Sequence, residues 1–222
     1  MPPADSASRA GAMPKASGDP SSRTLGNNMN DSCISHVPDG YEEILRDSKA
    51  INFGMPSDMQ TGALLSVLAA SKPQGTILEL GTGTGLGAAW LLGGMDDSST
   101  LVSIETNQEY QDVARRHLGH DIRLKLIVDD ALLFIEAHEG DAFDLIYADA
   151  MPGKYFGFEH SLRLLRRGGI LVLDDILPQP NWPENHQTSV DSLLQTIDGL
   201  PPKQFTSVKL CWYTGHILVT KK

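Results

Sequence analysis

Short apolar runs alternate with amphipathic stretches along most of this chain. Thr76–Leu80 (TILEL), Leu101–Glu105 (LVSIE), Ile122–Val128, Phe143–Ala148 (FDLIYA) and Ile170–Leu173 have the length and composition of buried strands. Between them apolar residues recur at helical spacing. The pattern predicts helices over Val37–Ile51, Asp58–Ser71, Leu86–Leu92, Gln108–Leu118, Ala131–His138, Tyr155–Leu165 and Val190–Ile197. Several have clear stops: Pro73 beyond the second, Gly119 after the fourth, Arg-Arg-Gly-Gly after the sixth and Gly199 after the last. Phe205–Trp212 and His216–Thr220, joined through Thr214-Gly215, read as a closing hairpin. Apolar strands alternating with helices predict an α/β fold: a doubly wound, seven-stranded, mostly parallel sheet, the last strand antiparallel, with helices on both faces.

The first 35 residues break this pattern. They are rich in Ser, Ala, Pro, Gly and Asn and poor in large apolar side chains. Such a segment buries too little surface to offset its ordering entropy, so residues 1–35 are expected to be a disordered leader and 36–222 the folded domain. Asp5, Asp19 and Asp31 argue against a mitochondrial presequence. No apolar run approaches the about 20 residues of a spanning helix, and no signal-peptide core precedes the domain. A cytoplasmic protein is expected. The formal net charge of −10 argues against a broad nucleic-acid or anionic-membrane surface. Cys33 and Cys211 are far apart and outside any CxxC pattern, so neither a disulfide framework nor a zinc site is expected.

In an open α/β sheet, ligands bind beyond the carboxyl ends of the strands. Here every parallel strand ends in acid: Glu79 before a Gly81-Thr82-Gly83-Thr84-Gly85 turn, Glu105, Asp129-Asp130, Asp149, and Asp174-Asp175. The turn has GxGxG spacing, whereas a dinucleotide loop wants GxGxxG and Leu86 holds that third place. Glu79 would repel a pyrophosphate and suits a ligand carrying ammonium or sulfonium. Glu105 can accept ribose hydroxyls. Asp130 suits either an adenine contact or an N-cap.

The ordered runs ILELGTGTGLG, SIETN, VDDAL, FDLIYADA and GGILVLDD resemble the class I S-adenosylmethionine-dependent methyltransferases, which are Rossmann-like, and among them the O-methyltransferase branch of the catechol and caffeoyl-CoA enzymes. The resemblance covers roughly Asn52 to Lys222. It implies S-adenosylmethionine held by Met55, Glu79, Gly81, Thr82, Gly83, Gly85 and Gly87, its ribose by Glu105 and Thr106, and its adenine by Asp130 and Ala131, with Asp149 beside the methionine part. It also implies a divalent metal, Mg²⁺ or Ca²⁺, on Asp149, Asp174 and Asp175, a small-molecule hydroxyl as methyl acceptor, and a homodimer.

The chain departs from that branch in two places. The branch has a catalytic Lys three residues after the strand-4 Asp, where this chain has Pro152; Lys154 follows two residues later. The stretch Leu177–His186, with Trp182, is also unlike the catechol enzymes, and resembles a bacterial subgroup of O-methyltransferases. Catalytic roles are thus expected for Asp149 and for Lys154 or His186 as proton acceptor, with Trp182 at the substrate. Two other readings are weighed: a tRNA or nitrogen methyltransferase on the same scaffold, which the acidic balance disfavours, and a nicotinamide oxidoreductase, which the glycine spacing and Glu79 disfavour.

Overall fold

The chain alternates strand and helix in the computed structural model, which describes Asn30, Ile34 and residues 36–222 other than Asp141 and Asn181. The expected leader over residues 1–35 lies almost wholly outside the described residues, as does Cys33. Residues Ser32–Lys222 make up a compact unit of their own. Its elements are α1 (Tyr41–Ala50), α2 (Met59–Ala70), β1 (Thr76–Leu80), α3 (Leu86–Gly94), β2 (Thr100–Glu105), α4 (Gln108–Leu118), β3 (Leu124–Val128), α5 (Ala131–Ala137), β4 (Phe143–Ala148), α6 (Phe158–Leu164), β5 (Leu165–Leu173), α7 (His186–Asp198), β6 (Phe205–Leu210) and β7 (His216–Lys221).

The sheet order is β3-β2-β1-β4-β5-β7-β6. Strands β3, β2, β1, β4 and β5 run parallel, and β7 is antiparallel to both β5 and β6. The order reverses direction between β1 and β4, which makes their carboxyl ends the crevice of the fold. The sheet's two faces bury separate cores. Alternate strand residues Leu78, Ile146 and Leu171 pack with Ile135, Leu162 and Leu193 on one face. Their neighbours Ile77, Leu145 and Val172 pack with Ile44, Leu65 and Trp90 on the other.

Four boundaries differ from the sequence pattern by three residues or more. α1 starts at Tyr41 rather than Val37, because Pro38 precedes it and Gly40 takes a left-handed φ of 78° at its N-cap. α6 starts at Phe158, since Met151–Phe156 is spent on tight turns around Gly153 at φ +81°. β5 runs back to Leu165, so Arg-Arg-Gly-Gly lies within a strand with a register irregularity and is no helix stop. α7 begins at His186, four residues before the apolar stripe that revealed it.

α2 and α3 approach closely because glycine stands at the contact. A Cβ on Gly62 would lie 2.2 Å from the Trp90 indole nitrogen. Trp90 itself is buried, so the ring cannot swing out to solvent. Gly62→Val is therefore expected to cost about 1–3 kcal/mol, the usual penalty for overpacking, seen as a lower urea midpoint at unchanged m-value.

Candidate active site

A cavity of about 500 Å³ opens at the carboxyl ends of β1, β2, β4 and β5. One side is formed by Gly81–Thr84, Glu105, Tyr110 and the Phe53–Asp58 segment; the other by Asp149–Met151, Lys154, Tyr155, Trp182 and His186, with Asp174 and Asp175 between. The turn after β1 can approach other atoms where its glycines lack side chains. Gly81 has φ +101°, and a Cβ there would come within 3.2 Å of the Asp149 carbonyl carbon. Gly83 has φ +51°, and its Cβ would meet the Phe53 ring at 2.8 Å. Phe53 in turn packs edge-on against Tyr110, ring centroids 4.9 Å apart.

Many of the residues expected at a ligand site meet here. Met55, at the exposed rim, Gly81, Thr82, Gly83, Glu105, Asp149, Lys154, Asp174, Asp175, Trp182 and His186 all line the cavity. Glu105 Oε2 accepts the Gly83 N–H at 2.9 Å and Oε1 the Asn107 N–H at 2.9 Å, which ties the ends of β1 and β2 together.

Six expected contacts do not reach the cavity. Glu79 is buried beneath the turn, because strand alternation puts it beside Tyr147 on the face that packs under α3. Its Oε2 accepts from Ser103, while Oε1 has no partner among the described residues and occupies the space where a Gly87 side chain would go. Gly87 thus makes room for Glu79. Gly85 makes room for Ala114 and Leu118 of α4. Thr106 donates to Glu105 from outside the wall, at 3.3 Å. Asp130 is the N-cap of α5, accepting the Leu132 N–H at 2.7 Å, and Ala131 is the first residue of that helix.

The acids in and under the cavity differ in ionisation. Burial pushes the Glu79 carboxyl up to about 8, against the opposing hydrogen bond from Ser103. Asp149 is pushed well above the usual carboxylate range by burial and by the Asp174 charge, which Lys154 only partly offsets. Asp175 is raised by burial, then by Asp174. Burial works against Asp174 as well, but hydrogen bonds from His216 and Thr214 outweigh it and hold this carboxyl low. His186 is lowered by partial burial and by Lys154.

Asp174 stands at the centre of a polar cluster that the sequence pattern concealed. Tyr147, Asp174 and His216 fall on one sheet face at the ends of β4, β5 and β7. Tyr147 donates to Asp174 Oδ2 at 2.9 Å, Thr214 donates to Oδ1 at 2.6 Å, and His216 Nε2 lies 3.2 Å from Oδ1. The same His216 nitrogen is 2.8 Å from Thr61 Oγ1, which donates to Asp58, the N-cap of α2. His216 looked like an ordinary strand residue, and only the pairing of β7 with β5 brings it here. Phe53 and Tyr155 were equally hidden: one is a lone aromatic in a polar stretch, the other was assigned to a helix. Tyr155 donates or accepts at His186 Nε2, 3.1 Å away, and Trp182 stacks on the His186 ring with centroids 4.3 Å apart.

The three aspartates expected to bind a metal do line one cavity. Even so, no group of three or more His, Cys, Asp or Glu among the described residues is arranged to hold a metal ion. No helix of the described residues is long and apolar enough to cross a membrane.

Residues 78–176 match a family described as methyltransferase domain. They span β1 to the end of β5, the strands that build the cavity. That segment therefore has the character of a methyltransferase domain. Among its curated relatives, one from Mycolicibacterium smegmatis, provisionally named an O-methyltransferase, is 35% identical over 117 residues, covering 50% of this chain and 56% of that protein. Another of that name, from Mycolicibacterium vanbaalenii, is 29% identical over 167 residues, covering 71% and 73%. Most of the curated relatives are matched over only a little more than half their length, as in the 52% for the Mycobacterium marinum protein. The Bacillus cereus O-methyltransferase solved with S-adenosylhomocysteine superposes with a TM-score of 0.73 at 22% identity, covering 86% of this chain and 94% of that one. The O-methyltransferase of tomaymycin synthesis from Streptomyces achromogenes, solved with S-adenosylmethionine, gives 0.71 at 22% identity over 86% and 93%. These likenesses establish the methyltransferase fold.

The buried acid under the turn makes stability depend on pH. Between the ordinary carboxyl value of 4.5 and about 8, the folded chain keeps a proton on Glu79 that the unfolded chain releases, so stability falls as pH rises through that window. Glu79→Gln should flatten the fall. By scanning calorimetry the variant is expected to melt near the parent at about pH 5 and above it at about pH 9. Two curves that decline in parallel would remove Glu79 as the cause.

Proposed function

We propose that this methyltransferase moves a methyl group from S-adenosylmethionine to the hydroxyl of a small molecule. The observation that carries the reading is the two-sided cavity: a glycine turn with a strand-end carboxylate on one wall, and a lysine, a tyrosine and a histidine on the other. The residues fit the donor. Gly81 and Gly83 line the cavity with backbone alone, pressed close by the Asp149 backbone and the Phe53 ring. Glu105 Oε2, bonded here only to the Gly83 N–H, keeps a lone-pair direction free for a ribose hydroxyl. The acid-rich walls suit a sulfonium. The solved relatives bound to S-adenosylmethionine or S-adenosylhomocysteine support the assignment.

When bound, S-adenosylmethionine supplies a methyl group activated on a positively charged sulfur. The protein's task is then alignment and proton removal. Met55 and the turn Gly81–Gly83 bind the donor, and Glu105 fixes its ribose. Lys154 donates to the acceptor oxygen and stabilises the charge that grows there. The methyl group would leave sulfur for the acceptor oxygen, giving S-adenosylhomocysteine, and the acceptor's hydroxyl proton would pass to His186, with which Tyr155 already shares a hydrogen bond. Trp182 and Tyr155 exclude water and present flat apolar faces to the acceptor. A cytoplasmic location and a homodimer belong to this reading.

The expected metal does not fit the donor set. Asp174 has Oδ1 filled by protein donors and Oδ2 half-committed to Tyr147, and a buried lysine stands among the three aspartates. No step is assigned to a metal.

Calorimetry with S-adenosylhomocysteine tests the reading on the full chain. One saturable site is expected, with no response to NADH. Glu105→Ala should weaken it about 10–100-fold, the value of hydrogen bonds to a charged group. A well-folded protein without that site would overturn the proposal, and methylation of bulk RNA would move it to the nucleic-acid branch.

The proton acceptor predicts a pH profile. His186 must be neutral to work, and its environment lowers it from the ordinary 6.5. Activity should therefore persist to pH values below 6.5 and fall only as His186 becomes protonated. His186→Gln should lower kcat and abolish this acid limb, while S-adenosylhomocysteine affinity stays within about twofold, since the ring lies on the acceptor wall.

A further inference from the structure

Two facts about Asp174 and Lys154 bear on how the acceptor is held. A carboxylate offers about four lone-pair directions. On Asp174 these are shared unevenly: the Thr214 hydroxyl, His216 Nε2 and the Asp175 N–H crowd Oδ1, whose two directions are filled, while the Tyr147 hydroxyl takes one of the two on Oδ2. Thr61 gives its hydroxyl hydrogen to Asp58, and His216 Nδ1 has no partner among the described residues. Both facts leave the ring hydrogen on Nε2, directed at Thr61 and Asp174. A divalent ion needs bare oxygens at about 2.0–2.6 Å, and Asp174 can offer at most the one direction on Oδ2 that Tyr147 leaves.

The second fact is the lysine. Pro152 and Gly153 bend the chain after β4, and the Tyr155 N–H closes the bend on the Met151 carbonyl at 2.8 Å. The bend carries Lys154 back over the strand ends. Its side chain is only 4% exposed yet lines the cavity. Nζ donates to the Asp174 carbonyl at 2.7 Å and lies 5.2 Å from the centre of the Tyr155 ring. An ammonium has three N–H bonds, so two remain for an acceptor oxygen. Among the described residues that line the cavity, no other Lys or Arg faces Asp149, Asp174 and Asp175. A buried positive charge in that position opposes entry of a second cation.

We propose that this site works without a divalent ion, with the Lys154 ammonium as the built-in cation that holds the acceptor hydroxyl. The proposal rests on the methyl-transfer reading. The two-residue delay of the lysine and the commitment of Asp174 to Tyr147, Thr214 and His216 are then two sides of one substitution.

The test titrates Mg²⁺, Ca²⁺ and Mn²⁺ into the chelator-treated full chain by calorimetry, with and without S-adenosylhomocysteine. No saturable cation site is expected, and S-adenosylhomocysteine affinity should be unchanged by chelation. A stoichiometric cation site with Kd below about 1 mM, the weak end for carboxylate sites, would overturn the proposal. The double variant Lys154→Met/Tyr147→Phe removes the competing charge and bares Oδ2 of Asp174. It should acquire a rise in Tm with Mn²⁺ that the parent lacks, whereas Lys154→Arg should stay indifferent. A double variant that folds and ignores Mn²⁺, or a Lys154→Arg that responds, would show that the lysine is not what excludes the ion. If the double variant fails to fold, the parent's own titration decides. Absence of S-adenosylhomocysteine binding alongside cation indifference would fail the methyl-transfer reading instead, so the two failures are distinct.

Discussion

The parallel pairing of β1 with β4 is the constraint on which the site depends. Its register sets Glu79 opposite Tyr147 and Leu80 opposite Ala148, so the glycine turn and Asp149 emerge at the same level. The Asp149 N–H then closes on the Leu80 carbonyl at 3.0 Å, and Gly81 lies against the Asp149 backbone. A slip of one residue would send Glu79 and Tyr147 to the opposite face and separate the two walls. Because these strands are buried on both faces, their apolar neighbours resist such a slip.

Alternation along the strands sorts the acids by depth. Glu79 points into the interior under α3, and burial makes it neutral near physiological pH. Glu105 forms the last rung of β2, Asp149 follows the last residue of β4, and both line the cavity. Asp174 falls between these cases: it borders the cavity but is committed to donors from β4, β7 and the loop before β7. One strand-end position thus serves as a structural node, where a similar acid in a looser setting would be free to bind a ligand. The node also reaches α2, through His216, Thr61 and Asp58. That helix start follows directly on the Phe53–Ser57 stretch that closes one side of the cavity. Cavity floor and cavity wall therefore share one hydrogen-bonded chain.

The acceptor wall has a different origin. Tyr155, Trp182 and His186 come from two segments that carry no periodicity: the turn after β4 and the loop before α7. They meet because Gly153 turns the first segment back and α7 starts early enough to present His186. Their mutual contacts are aromatic and directional, which gives the wall a fixed shape on a loop scaffold.

Periodicity along the sequence determined the seven strands, their mostly parallel order, the reversed final strand, and the set of acids at one sheet edge. Those features follow from local patterns: apolar runs of strand length, glycine stops, and chemistry at strand ends. The sequence also carried the glycine turn with Glu105, Lys154 and His186 as members of one site. Only the tertiary structure decided which glycines line the cavity and which lie beneath a helix, since Gly83 and Gly85 look alike until α4 packs over Gly85. It alone turned Asp130 into a cap, withdrew Glu79 beneath the turn, and joined His216 to Asp174 from 42 positions along the chain. Contacts of that kind depend on which strands become neighbours and which face each residue takes, and no local pattern records the partner.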